Sequence, residues 1–187
     1  TWSYAKSFFH NKNKYNIASC RAGNIIGGGD FSKDRLLPDI ISSIFLKKKL
    51  IIRNPSYFRP WQHILEPLTG YLILSQKLNL NLKKYSEPFN FGPEKSNIVT
   101  VNDVINKFKK FDKSLKWKLN YKKTFKESKY LSLNKNKSKK KLNFFPKLDL
   151  KQSLKLTYDW YNCYYKKNNH IIKLTQIQIF NYLKKLY

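Results

Sequence analysis

The chain has 187 residues, 41% of them hydrophobic and 16% aromatic, too apolar for a disordered polymer and long enough for one domain or part of a larger enzyme. Cys20 and Cys163 stand far apart with no partners at metal-ligand spacing, which supports neither a disulfide framework nor a zinc module and fits a reducing, cytoplasmic setting. The net charge of +27 suggests a polyanion, yet only Arg21, Arg35, Arg53 and Arg59 among 38 basic residues are arginine, the residue suited to planar, bidentate recognition of phosphate.

Lysine supplies the rest. With alanine confined to Ala5, Ala18 and Ala22 and with Lys, Asn, Ile, Tyr and Phe abundant, the composition is that of coding drift toward A and T. The stretch from Lys107 to Lys151 holds 17 lysines against Asp112, Glu127 and Asp149, and reads as a solvated side with at most weak affinity for acidic surfaces. The start, Thr1-Trp2-Ser3-Tyr4-Ala5-Lys6, has no apolar stretch of the kind a signal peptide needs. The longest apolar runs, Ile40 to Leu46 and Tyr71 to Leu74, fall well short of the roughly 20 residues of a membrane span.

In chain order, Asn16 to Ala22 predicts a buried strand that runs into the turn-rich Gly23 to Asp30. Leu36, Leu37, Ile40, Ile41, Ile44 and Phe45 recur at helical spacing, with Pro38 in the first turn and the cations Lys47, Lys48 and Lys49 at the end. Leu50 to Arg53 predicts a strand closed by Asn54-Pro55. Glu66-Pro67 opens a second helix, with Glu66 read as its cap, and Pro88 to Pro93 predicts a strand and turn. Thr100 or Asn102 caps a third helix through Val104, Ile105 and Phe108. Short β-like pieces follow at Lys116 to Leu119 and Tyr130 to Leu133, then two amphipathic helices near Asp149 to Lys167 and Thr175 to Leu186. Alternating strands and helices indicate an α/β protein, but so few strands make an incomplete parallel sheet, and a missing N-terminal half is expected. No repeat or linker divides residues 1–187.

Arg21, Arg35 and Arg59 fall in predicted loops at the ends of strands and helices, where open α/β sheets bind ligands. Guanidinium groups converging beside glycine-rich backbone suit a pyrophosphate, and an Asn between them suits sugar hydroxyls or phosphate. The run Gly27-Gly28-Gly29 matches neither a dinucleotide fingerprint nor a Walker loop. His10, His63 and His170 are scattered, and only His63 falls near these loops; no nucleophile motif and no spaced carboxylate pair is present. Core packing is the expected role of Trp61 and Phe91.

The runs Arg21-Ala22-Gly23-Asn24-Ile25-Ile26-Gly27-Gly28-Gly29-Asp30-Phe31, Asp34-Arg35-Leu36-Leu37-Pro38-Asp39, Ile52-Arg53-Asn54-Pro55, Arg59-Pro60-Trp61-Gln62-His63-Ile64-Leu65-Glu66-Pro67 and Phe89-Asn90-Phe91-Gly92-Pro93 resemble the CDP-glucose 4,6-dehydratase family. These are NAD-dependent sugar-nucleotide enzymes of the extended short-chain dehydrogenase/reductase superfamily, and the likeness covers the family's C-terminal half. It implies the last Rossmann strands plus the smaller substrate-binding domain, with the cofactor half missing. The implied reaction oxidises CDP-glucose at its fourth carbon, eliminates water across the fifth and sixth, and returns the hydride to give CDP-4-keto-6-deoxyglucose, as in lipopolysaccharide deoxysugar synthesis.

By position, the resemblance implies that Asn24 contacts the sugar-phosphate portion, Arg59 clamps the pyrophosphate and Arg35 supports the nucleotide. Arg53, His63 and Asn90 are further substrate contacts, and Gly23 lies near the nicotinamide of NAD. No catalytic residue and no metal ligand is assigned. The family's Gly-rich phosphate loop is absent, and none of the 13 tyrosines is followed four residues later by Lys, so the isolated chain is expected to be inactive. The implied partners are CDP-glucose, the missing half and a second copy of the full-length enzyme, with no membrane and no specific nucleic acid. The alternatives are another sugar-nucleotide dehydratase or epimerase, an inactive remnant, or a basic nucleic-acid-binding module.

Overall fold

A computed structural model describes residues 3, 7–8, 17–80, 84–120, 127–167 and 169–186. Tyr4, Lys6, His10 and Asn16, considered above, lie outside the described residues. The elements are β1 (Cys20–Ala22), β2 (Asn24–Ile26), α1 (Leu36–Phe45), β3 (Leu50–Ile52), β4 (Phe58–His63), α2 (Leu65–Leu80), β5 (Phe89–Phe91), β6 (Ile98–Thr100), α3 (Val101–Lys109), β7 (Trp117–Leu119), α4 (Asn136–Leu142), α5 (Leu150–Tyr165) and α6 (Ile171–Leu183).

The strands form three small sheets, ordered β1-β5, β2-β4-β6 and β3-β7. Pairing is parallel for β1-β5, β2-β4 and β3-β7 and antiparallel for β4-β6. The fold is therefore mixed α/β, as expected. In register, Asn24 faces Trp61 and Arg59 faces Val99, so β4 ties the Gly23–Asn24 turn to the segment that leads into α3.

Three expectations are corrected. Arg59 to His63 was expected as a loop and is instead the central strand β4, whose last four residues, Pro60 to His63, are all buried. Asn24 to Ile26, expected as a turn, is a strand because it pairs in parallel with β4. The Tyr130 to Leu133 piece is reduced to one isolated bridge, Phe58 with Tyr130, while the unexpected α4 forms downstream.

Helix α1 places Leu37, Ile40, Ile41 and Ile44 on one buried face. They pack with Leu50 and Ile52 of β3, Trp61 of β4, Val104, Ile105 and Phe108 of α3, and Leu150, Leu154 and Tyr161 of α5. Each such side chain contributes about 1.5–3 kcal/mol of apolar burial. A second cluster joins Leu74 of α2, Phe89 and Phe91 of β5, and Leu142 and Phe144 around α4. Capping boxes start two helices, Thr100 with Asp103 at α3 and Asp149 with Gln152 at α5.

Glu66 does not cap its own helix. It is 1% exposed; Oε1 accepts from the Lys147 and Leu148 backbone N–H groups at 2.8 and 2.6 Å, and Oε2 accepts from the Tyr182 hydroxyl at 2.8 Å. Burial pushes its carboxyl above the ordinary range, with these three donors opposing. The group therefore pins the turn before α5, and helix α6, onto the start of α2.

Candidate functional site

A cavity of about 760 Å³ opens above the larger core cluster. Its floor is apolar, with Ile26, Leu37, Ile52 and Trp61 shared with the core. Its polar lining comes from Gly23 and Asn24 at β2, Asp34, Arg35 and Asp39 around the start of α1, Arg53 and Asn54 just past the carboxyl end of β3, and Tyr57 and Arg59 at β4, with Asp30, Asn120 and Glu127 from the neighbouring loops. Asn24, Arg35, Arg53 and Arg59 thus line one space, although 35 residues separate the first from the last.

Arg59 is the most firmly placed cation, with a side chain 14% exposed. Its Nη1 donates to the Phe58 and Ser128 carbonyls at 2.8 and 2.9 Å, its Nη2 to Glu127 Oε2 at 3.0 Å, and its guanidinium lies 5.4 Å from the Tyr57 ring centroid. These contacts fix the plane of the fork. Arg35, by contrast, is 68% exposed at the rim, 3.8 Å from Asp30. Burial opposes ionisation of Asp30, but hydrogen bonds from Ser32 and the Arg35 charge outweigh it and hold the carboxyl below the usual range. Asp39 shows the opposite balance: burial and then the neighbouring Asp34 push its carboxyl up, against the pull of Arg53 and the Asp34 backbone N–H.

Two residues expected at the site lie outside this cavity. His63 closes β4 facing inward, 2% exposed, and its Nδ1 accepts from the Leu65 N–H at 3.4 Å. Burial lowers its pKa to about 4, so the ring is neutral, with its proton on an Nε2 that has no partner among the described residues. Asn90, on β5, donates from Nδ2 to the Asn134 carbonyl at 3.2 Å, while its own carbonyl accepts from the Ser138 hydroxyl at α4. It serves the join between β5 and α4.

The glycines have packing reasons. A Cβ on Gly23 would come 2.6 Å from the Pro60 carbonyl oxygen, so β1 and β2 can pass β4 only with glycine there. A Cβ on Gly28 would come 2.1 Å from the Trp160 ring of α5, and Gly29 holds φ +85°. Gly27 packs against Ile64 and Gly28 and Gly29 against Trp160, so the run is part of the packing between the β2 end and α5. Trp61 and Phe91 pack in the core as expected, 4% and 0% exposed, and Trp61 also reaches the cavity floor.

Sequence reasoning passed over Asp39, Asn54, Tyr57 and Glu127 as cavity residues. Asp39 lies in the first turn of α1, where an acid needs no ligand to explain it. Glu127 is 68 residues from Arg59, and no local pattern announces their pairing.

A second recess of about 540 Å³ gathers Lys47, Lys48, Lys49, Lys109, Lys116 and Lys118, with no carboxylate in its lining. Among the described residues no helix is long and apolar enough to cross a membrane.

No protein-family model matches the chain. A CDP-glucose 4,6-dehydratase of Salmonella typhimurium is 37% identical over 175 residues, which is 91% of this chain and 49% of that protein. The chain thus spans about half the length of the curated relative it matches. A UDP-glucuronic acid 4-epimerase from Bacillus cereus, solved with UDP-glucuronic acid and NAD, superposes with a TM-score of 0.68 at 21% identity over 86% of this chain and 48% of its own. A dTDP-glucose 4,6-dehydratase from Bacillus anthracis, solved with NAD, superposes with a TM-score of 0.63 at 20% identity over 90% of this chain and 49% of its own.

Proposed function

We infer that this chain, a relative of CDP-glucose 4,6-dehydratase with the fold of the extended short-chain dehydrogenase/reductase enzymes, forms the nucleotide-sugar-binding half of such an enzyme. The whole enzyme converts CDP-glucose to CDP-4-keto-6-deoxyglucose and water. Residues 1–187 correspond to the C-terminal portion. The observation that carries the reading is the single cavity shared by Asn24, Arg35, Arg53 and Arg59.

In that cavity Arg59 is the pyrophosphate clamp. Its contacts with Tyr57, Phe58 and Ser128 hold the guanidinium before ligand arrives, so little side-chain entropy is lost on binding. Asn24 offers an amide to phosphate and sugar oxygens, and Arg35 closes over the nucleotide from the rim. The apolar floor at Trp61, Ile26 and Ile52 excludes water beneath the ligand and strengthens each charge-assisted bond. His63 and Asn90 lie outside this cavity and are given no contact with the nucleotide.

NAD, when bound, accepts and returns the hydride. Its dinucleotide is held by the complementary half, because residues 1–187 carry no dinucleotide fingerprint; Gly23 keeps its place at the edge toward that half, near the nicotinamide. The proton-transfer groups are assigned to the same complementary half. The enzyme works in the cytoplasm as a lyase of nucleotide-sugar metabolism and self-associates in its full-length form.

The test pairs this chain with a separately produced NAD-binding half of the Salmonella relative. The isolated chain is expected to bind CDP-glucose and to show no NAD-dependent conversion, while the pair turns over. Turnover by the isolated chain, or no binding of CDP-glucose, contradicts the reading.

A further inference from the structure

Two arginines of the cavity are placed in different ways. Arg59 is gripped through its own side chain, whereas Arg35 is 68% exposed, pairs with Asp30 at 3.8 Å and, as the N-cap of α1, makes no side-chain cap bond. The position of Arg35 is therefore set by the backbone that carries it, residues 27–35 between β2 and α1. Within that segment the Ser32 N–H donates to Asp30 Oδ1 at 3.0 Å, and the chain turns at Gly29, φ +85°, and at Asp34, φ 60°. Its anchor is α5. The Tyr161 hydroxyl donates to the Asp30 backbone carbonyl at 2.5 Å, and the Trp160 ring lies so close to Gly28 that a Cβ there would come 2.1 Å from it. The Phe31 ring centroid sits 5.8 Å from that of Tyr161, edge-on, 5.1 Å from Tyr164 and 6.5 Å from Trp160. Trp160 and Tyr164, one helical turn apart, stack at 5.6 Å and 10°. Trp160 Nε1 donates to Thr175 Oγ1 of α6 at 3.0 Å, which fixes the plane of the indole.

This anchor differs from the core beside it. Phe31 is 53% exposed, whereas Tyr161 is 1% exposed and packs with Leu150 and Leu154 of the same helix in the larger core cluster. A phenylalanine left half in water adds less apolar burial than a core ring. What its three aromatic neighbours supply is placement: one side of the segment is tied to a helix fixed in the core, and the other presents Asp30, Asp34 and Arg35 to the cavity. We propose that Phe31, held by Trp160, Tyr161 and Tyr164, is a positioning residue for Arg35, so that α5 sets the pose from which Arg35 meets the nucleotide. The proposal rests on the nucleotide-sugar reading above. An arm whose backbone is fixed before the ligand arrives gives up only side-chain freedom on closing, whereas a loose segment must also order its backbone.

The experiment measures the dissociation constant of CDP for the 187-residue chain by calorimetry, with melting temperatures in parallel, for the wild type, F31A, F31Y, Y161F, R35Q and the F31A/R35Q double variant. F31A is expected to weaken CDP binding by roughly fivefold, close to the effect of R35Q and to the worth of one exposed charge-assisted contact. The double variant binds no more weakly than R35Q alone, because an arm without its guanidinium has nothing left to position, while F31A lowers the melting temperature equally in both backgrounds. F31Y keeps the ring in its socket and restores affinity to within about twofold of wild type. Y161F leaves the ring in place, removes the bond to Asp30, weakens CDP in the same direction, and serves if F31A does not fold. Effects of F31A and R35Q on CDP affinity that multiply, or an affinity unmoved by both F31A and Y161F, overturn the positioning role while wild-type binding still supports the nucleotide site. Absence of CDP binding by the wild type overturns both.

Discussion

Two regions of this molecule carry charge in opposite ways. Along β4 and the start of α2, Arg59, His63 and Glu66 are few, mostly inside, and each is fixed by its surroundings: Arg59 by Glu127 and two carbonyls, His63 by burial in its neutral form, Glu66 by three donors. At the lysine recess between the α1–β3 turn and β7, six ammonium groups meet no carboxylate in the lining. Lysines of this kind keep their heads in water, cost little and recognise little. The net charge of +27 is therefore a poor guide to function, whereas Arg59, held by Glu127 and two carbonyls, and Arg35, beside Asp30, are a better one.

The largest effect that sharpens this contrast belongs to Glu66. Glu66→Ala leaves two backbone N–H groups and the Tyr182 hydroxyl without their acceptor in a dry site, a loss on the order of 3 kcal/mol or more that lowers the melting temperature by about 10 °C. A melting temperature within one or two degrees of wild type would show that the node does not hold α6.

His63 comes next. Its folded pKa of about 4 lies below the ordinary 6.5, so between these values the unfolded chain binds a proton that the folded chain refuses. Stability present above about pH 6.5 is lost as the pH falls toward 4, by roughly 3 kcal/mol in all. Glu66, whose carboxyl is raised, acts with the opposite slope above its ordinary pKa, so the His63 contribution is read as the difference between wild type and His63→Gln across the same pH range. Parallel curves for the two proteins would contradict the neutral, buried ring.

Arg59→Ala is expected to weaken CDP binding by about 2 kcal/mol, some thirtyfold, through loss of a charge-assisted contact. Arg59→Lys recovers only part of this, because the fork is lost with the charge kept. Smallest is the effect of replacing Lys47, Lys48 and Lys49 together by Gln. CDP affinity should stay within about twofold, whereas the salt needed to elute the chain from a heparin column falls, as for any sequence-independent polyanion contact. A large loss of CDP affinity would move the site to the recess.

What the sequence displays of this architecture follows from periodicity. α1, α3 and α5 each show an apolar stripe that is buried, and β3 and β5 are apolar runs bounded by turn residues, whereas α6 buries Gln178 and Tyr182 and leaves Ile172, Ile177 and Phe180 exposed, and the β1 run Cys-Arg-Ala, expected as a buried strand, is exposed at Cys20 and Arg21. β4 hides because it reads Phe-Arg-Pro-Trp-Gln-His: it is buried through its last four residues, Gln62 Nε2 donates to the Phe91 carbonyl at 2.8 Å, and the ring of His63 is held neutral by burial, while Gln62 Oε1 and His63 Nε2 have no partner among the described residues. Glu66 looked like a cap because helix starts often carry an acid, and its real partners lie 81 to 116 residues away. The site residues were legible as types. Their convergence was not, because it arises from the parallel pairing of Asn24 with Trp61 and from the α1–β3 crossover, which no local spacing encodes.

The most direct measurement is a titration of the isotope-labelled chain with CDP, followed by backbone and arginine side-chain resonances. Perturbations concentrated at Asn24, Arg35, Asp39, Arg53 and Arg59 are predicted. Perturbations centred instead on Lys47 to Lys49 and Lys116 to Lys118, or spread evenly over the lysines, would contradict a nucleotide-diphosphate site at the arginine-lined cavity.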